Sequence, residues 1–218
     1  MVRTVALDQR GHGDSDRPPS GYAIADLAAD AVAVLDALAI SRATVVGHSM
    51  GSFVALRLAL DHADRVSRLV LVGSATTAVN EGLLGLRAEV EDLSDPTPLA
   101  FVREFQRSTA YAELPEAFVD CVVAESRKLP ARVWRAALAG ILAFESAAEL
   151  PAIRCPTAIV WGDRDGIFGR DEQNRLRGAI AGARLTIYPE TGHAPHWERP
   201  ARFARDLLAF VAATCERS

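Results

Sequence analysis

Cysteine is scarce in this chain, and what there is does not pair up. Cys121, Cys155 and Cys215 are odd in number and far apart, so they make neither a disulfide framework nor a metal-ligand cluster, and they fit a reducing compartment. Long apolar runs are missing as well. None approaches the roughly 18 residues a membrane span needs. The brief apolar run at the N-terminus, flanked by Arg3 and Asp8, is too short for a secretory signal. Basic residues form no cluster and the formal net charge is −4, which argues against nucleic acid or an anionic membrane as partner. Internal repeats and low-complexity tracts are also lacking. These absences leave a soluble, cytoplasmic globular protein as the expectation.

What the chain does have is alternation. At 218 residues, with 50% apolar and 24% charged side chains, it is long enough for one domain with a substantial core and an inserted subdomain. Residues 2–7 read as a short buried strand rich in β-branched side chains, and residues 8–13 as the turn-rich loop leaving it. Leu27, Ala31, Val34, Leu35 and Leu38 recur at helical spacing, which predicts an amphipathic helix over 22–39. A strand over 43–46, a helix over 53–60 and a strand over 68–72 follow. Strand, helix, strand in this rhythm imply a parallel sheet with helices on its faces. From about 75 to 150 the pattern turns helical, punctuated by Pro96, Pro98, Pro115 and Pro130. Strands at 157–161 and 184–188 then return, with helices over 171–180 and 200–214. The expected class is therefore α/β, with core segments 1–74 and 151–218 and a helical insertion at 75–150.

The strongest local signal is Val45-Val46-Gly47-His48-Ser49-Met50-Gly51, a G-x-S-x-G between a strand and a helix. A nucleophile on so sharp a turn needs glycine two positions to either side, because the backbone there is crowded. The following helix would aim its N-terminus at a developing oxyanion. A serine hydroxyl also needs a base, and the base an orienting acid. Asp163 and Asp165 lie just beyond one strand and His193 just beyond the last, both at the carboxyl-end rim of the sheet. Chain order is thus Ser, Asp, His.

The segments LDQRGHGDSDRP, VVGHSMGS, RLVLVGS, CPTAIVWGDRDGIF and YPETGHAPHWERP together resemble the α/β-hydrolase fold superfamily, in its group with a helical cap. The resemblance implies Ser49 as nucleophile, His193 as general base and acid, and the Met50 backbone N–H as an oxyanion-hole donor. The family's G-x-x-D spacing, counted from Gly162, selects Asp165 over Asp163 as the acid. It implies a small-molecule acyl substrate and no cofactor. Serine rather than aspartate at position 49 speaks against halide displacement and epoxide opening. It fits hydrolysis of esters, lactones or thioesters, carbon–carbon cleavage of diketones, or cofactor-free perhydrolysis.

Other residues carry plainer readings. His48 is expected to pack or to hydrogen-bond, and His12 and Asp14 to belong to the scaffold. His193 and His196 lack the partners of a metal site. Phe101, Phe105, Tyr111, Phe118, Trp134 and Phe144 are expected in the core of the helical insertion, one or two of them lining an acyl pocket. Relatives of this kind carry strands before the one expected at 2–7, and a loop after one of these donates the second oxyanion N–H. No such segment is seen here, and a truncated reading of a longer gene is the expected reason, ahead of a compacted variant or a degenerate hydrolase. The rivals to an enzyme are a weakly catalytic ligand-binding protein and an unstable fragment. Nothing in the sequence speaks to oligomeric state.

Overall fold

The computed structural model describes residues 2–213, and its centre is a parallel sheet. Strands β1 (Ala43–His48), β2 (Val66–Val72), β3 (Thr157–Gly162) and β4 (Arg184–Tyr188) lie side by side in that order, each pairing parallel. Successive side chains of a strand point to opposite faces, and β2 shows what that does. Leu69 and Leu71 enter one core with Phe53, Leu56, Ile159 and Leu176. Val70 and Val72 enter the other with Val160 and Tyr188. The first face is covered by α1 (Ile24–Ala37), α2 (Met50–Asp61) and α7 (Arg170–Ala179). The second is covered by α9 (Pro200–Ala212) through Phe203, Leu207 and Phe210. A sheet sandwiched this way needs apolar runs rather than alternation, which is why its central strands were easy to read.

One expected strand does not form. Residues 2–7 have no regular structure and are exposed, Val2 at 53% and Val5 at 46%. β-branched composition is only a preference, whereas a strand needs a neighbour to take its N–H and C=O groups. Among the described residues β1 pairs with β2 alone. β1 is thus an edge strand, and Val46 on it is 44% exposed.

Between β2 and β3 lie α3 (Glu81–Glu91), α4 (Leu99–Ser108), α5 (Glu116–Ser126) and α6 (Ala131–Leu142). Pro98, Pro115 and Pro130 stand immediately before the last three, where the missing proline N–H costs no helical bond. The block has its own small cores, one of Val102, Val119 and Val123 with Phe101 and Trp134 against it. Its two stems meet: Thr77 and Glu145 form an antiparallel bridge, and the Ser146 N–H and Oγ both donate to the Thr76 carbonyl. Glu172 of α7 accepts from the Thr76 N–H and hydroxyl, which fastens the stem to the sheet layer. Two aromatics expected inside this block lie elsewhere. Phe144 packs on Phe53 in the main core, ring centres 5.4 Å apart, and Tyr111 is 56% exposed. The final helix ends at Ala212; Thr214 and Cys215 lie outside the described residues. Cys121 is exposed and Cys155 half-buried, both free. No helix among the described residues is long and apolar enough to cross a membrane.

Candidate active site

Ser49 stands between β1 and α2 with φ 52° and ψ −123°, a backbone conformation that L-residues other than glycine rarely adopt. Its N–H donates to the Val72 carbonyl at 3.0 Å, continuing the β1–β2 ladder one step past His48. The two flanking glycines turn out to be unequal. A Cβ at Gly47 would stand 2.1 Å from the Gly51 carbonyl oxygen, whereas one at Gly51 would meet only Gln9 Nε2, at 3.7 Å. The steric demand therefore falls on Gly47, and the expectation that both positions are crowded is corrected for Gly51. Met50 opens α2, so its amide is one of the first-turn N–H groups that have no acceptor within the helix.

His193 and Asp165 come from loops that follow β4 and β3. His193 Nδ1 donates to Asp165 Oδ2 at 2.9 Å, and the two side chains are 1% and 0% exposed. Asp165 Oδ1 accepts from the N–H groups of Ile167 (2.8 Å) and Phe168 (3.1 Å), which leaves this carboxylate little freedom. Asp163 is exposed and instead lies near the Thr191 N–H and Arg164. Because a carboxylate only accepts, the proton of a neutral His193 sits on Nδ1 and the lone pair on Nε2. That Nε2 is buried and has no hydrogen-bond partner. His193, Ser49 and Met50 all line one cavity.

The backbone of His193 is gripped at both ends. Its N–H donates to the Thr109 carbonyl, and its carbonyl accepts from His48 Nε2, each at 2.9 Å. Burial, followed by the nearby His193 and His196, pushes His48 well below the usual imidazole range, so it serves as a neutral donor. His196, whose ring centre lies 4.4 Å from that of His48, is lowered to about 4, mainly by burial and secondarily by His193. Gly73 makes room for the imidazole: at φ +51° its missing Cβ would fall 2.8 Å from His193 Cε1 and Nδ1. His48 hydrogen-bonds as the sequence led one to expect, though its partner was not foreseen, and Gly73 was given no part in the site. A glycine directly after a buried strand, at the rim where His193 was expected, was the available signal for Gly73.

The cavity measures about 1530 Å³. Phe105, Trp134, Leu138 and Ile141 of the helical block form an apolar wall, and residues 2–9 with β1 form another. His12 and Asp14 make no bond to Ser49, Asp165 or His193: His12 Nδ1 pairs with the Arg10 carbonyl, and Asp14 with Lys128. Among the described residues no group of three or more His, Cys, Asp or Glu side chains could hold a metal ion.

Comparison with known proteins adds an independent line. The model of the alpha/beta hydrolase fold family matches residues 2–200. RutD of Variovorax paradoxus (strain S110), which bears a provisional carbamate-hydrolase name, is 35% identical over 216 residues, 96% of this chain and 81% of that protein. The 2-hydroxymuconate semialdehyde hydrolase of Pseudomonas sp. (strain CF600) is 32% identical over 221 residues, 96% of this chain and 76% of that one. Among solved structures, the enol-lactonase from Burkholderia xenovorans LB400 superposes with a TM-score of 0.85 at 25% identity, over 94% of this chain and 79% of that one.

Proposed function

Since the chain belongs to the alpha/beta hydrolase fold family, we propose that it is a serine hydrolase of small apolar esters, lactones or related acyl compounds, working through an acyl-enzyme. Ser49 Oγ attacks the substrate carbonyl as His193 Nε2 takes its proton. The tetrahedral oxyanion turns toward the Met50 N–H at the head of α2, where the helix dipole favours negative charge. Asp165 steadies the imidazolium that forms, and His193 then gives the proton to the leaving group. Water repeats the sequence in reverse and frees the acid. The helical block over residues 75–150 acts as the cap, its apolar wall facing the acyl chain. The reaction needs no cofactor, and the partner it implies is the small-molecule substrate alone.

The observation that carries this reading is the buried His193–Asp165 pair at 2.9 Å, with Nε2 left unpartnered in the cavity that Ser49 also lines. A fluorophosphonate probe tests it in one step. Labelling of the native chain, lost in Ser49→Ala, is the expected result. An unlabelled native chain would make this a ligand-binding protein with a silent site. The relative named as a semialdehyde hydrolase favours a second substrate class, carbon–carbon cleavage of an acyl ketone by the same residues. Turnover of a chromogenic short-chain ester against a diketone, followed by loss of the diketone absorbance, separates the two.

A further inference from the structure

We infer that Glu198 is a positioning residue for His193, and that it works by stitching the His193 loop to the linker between α4 and α5. Glu198 closes the short helix α8 (Pro195–Glu198) and is 8% exposed. Its carboxylate accepts three backbone N–H groups from two separate parts of the chain. Oε1 takes Gly192 at 2.7 Å, while Oε2 takes Ala112 at 2.8 Å and Tyr111 at 3.2 Å. Among the described residues no cation pairs with it. The adjacent Arg199 guanidinium donates instead to the backbone carbonyls of Glu198 and Glu190.

A buried carboxylate with three amide donors is strongly held, since bonds to a charged acceptor are about twice as strong as neutral ones. Here the donors are not incidental. Gly192 precedes His193, and the His193 N–H itself goes to Thr109 of the same linker. Four hydrogen bonds thus run between, or through Glu198 join, residues 109–112 and 192–193. The contact is also sterically close, because a Cβ at Gly192 would stand 2.5 Å from the Tyr111 nitrogen. Glutamine cannot substitute, as its one oxygen could serve either Gly192 or the Tyr111–Ala112 pair while its NH2 opposed the N–H donors on the other side. A structural carboxylate would only stabilise the fold. One that sets the loop also sets where Nε2 sits, and a displacement near 1 Å there costs turnover about 10²-fold.

The inference takes its catalytic meaning from the proposed Ser49–His193–Asp165 chemistry, so the test has a readout that needs no turnover. In the full chain, the downfield Nδ1–H resonance of His193 is assigned by its loss in His193→Ala and followed in Glu198→Gln. That resonance is expected to shift or broaden. The kcat per fluorophosphonate-titrated site should fall about 10²-fold with KM changed under about threefold. Glu198→Asp, which keeps the charge, should recover part of the loss. Ile180→Val, a core trim away from the cavity, is the control for destabilisation alone and should keep both resonance and kcat. An unshifted resonance with kcat tracking only the folded fraction, as in Ile180→Val, would overturn the inference. Should Glu198→Gln not fold, the same measurements on Glu198→Asp decide it. If the native chain shows no Ser49-dependent turnover, the hydrolase reading fails while the resonance still judges Glu198.

Discussion

The two flanks of Ser49 are built to different tolerances. On one side the His193 ring is bound to Asp165, its backbone to Thr109 and His48, and its edge rests on Gly73. On the other side β1 presents a free edge to residues 2–9, which form no strand among the described residues. Gln9, the residue there that approaches Gly51, keeps a buried Oε1 without a partner. The proton transfer proposed for His193 would therefore be housed where the backbone is over-determined, and the sheet edge next to Ser49 is where it is loose. This teaches that His193 and Asp165, the proposed base and acid, are held by loops that take from β1 the hydrogen bond of its last residue, His48. Substitutions on the two flanks should accordingly differ in kind as well as size.

The largest effects test whether both flanks serve one reaction. Ser49→Ala and His193→Ala should each cut kcat for a chromogenic ester by about 10⁴–10⁶-fold, and the double variant little further. Activity surviving in either would separate the flanks and end the comparison. Next comes the orienting acid: Asp165→Asn should lose about 10³–10⁴-fold in kcat, while Asp163→Asn stays within about twofold. A reversed order would place the tight flank around the wrong carboxylate.

The third effect is on stability and lies on the tight flank alone. The buried His196 binds its proton only near pH 4, against about 6.5 when unfolded. Between those values the unfolded state holds more protons, so the contribution is fully present above about pH 6.5 and lost as pH falls toward 4. Urea unfolding should register a loss of about 3 kcal/mol across that window, and His196→Gln should flatten it. His48, also lowered, acts in the same direction. The smallest effect compares neighbours in register across the sheet edge. Val70→Ala, in the buried strand β2, should cost about 2 kcal/mol by calorimetry. Its β1 partner Val46→Ala should cost under about 0.5 kcal/mol.

Strands β2 and β3 could be read from the sequence because they are buried on both faces, and such strands announce themselves as apolar runs. The readings at 68–72 and 157–161 fall inside β2 and β3, that at 184–188 coincides with β4, and the helix read over 53–60 lies inside α2. Residues 2–7 carry the same composition and form no strand, because what they lack is a partner, which composition does not encode. The spacing from Gly162 to Asp165 named the carboxylate that the structure places against His193. The partner of His48, expected only to pack or to hydrogen-bond, and the roles of Gly73 and Glu198 were not read, for a common reason. Each matters through contacts made far along the chain, His48 reaching His193 across 145 positions. Phe144 looked like part of the helical insertion but lies at its exit, where the chain has already rejoined the main core.

The clasp between the two stems of that insertion has an evolutionary reading. Because Thr77 meets Glu145, and Ser146 binds Thr76, the intervening chain leaves and returns at one point. The entropy of closing a loop grows only logarithmically with its length, about 0.6 kcal/mol per doubling. Helices can therefore be added, removed or exchanged beyond the clasp at small thermodynamic expense, with β2 and β3 undisturbed. On the proposed reading, substrate range and bond-breaking chemistry are in this sense separable parts, joined at a four-residue pin of Thr76, Thr77, Glu145 and Ser146.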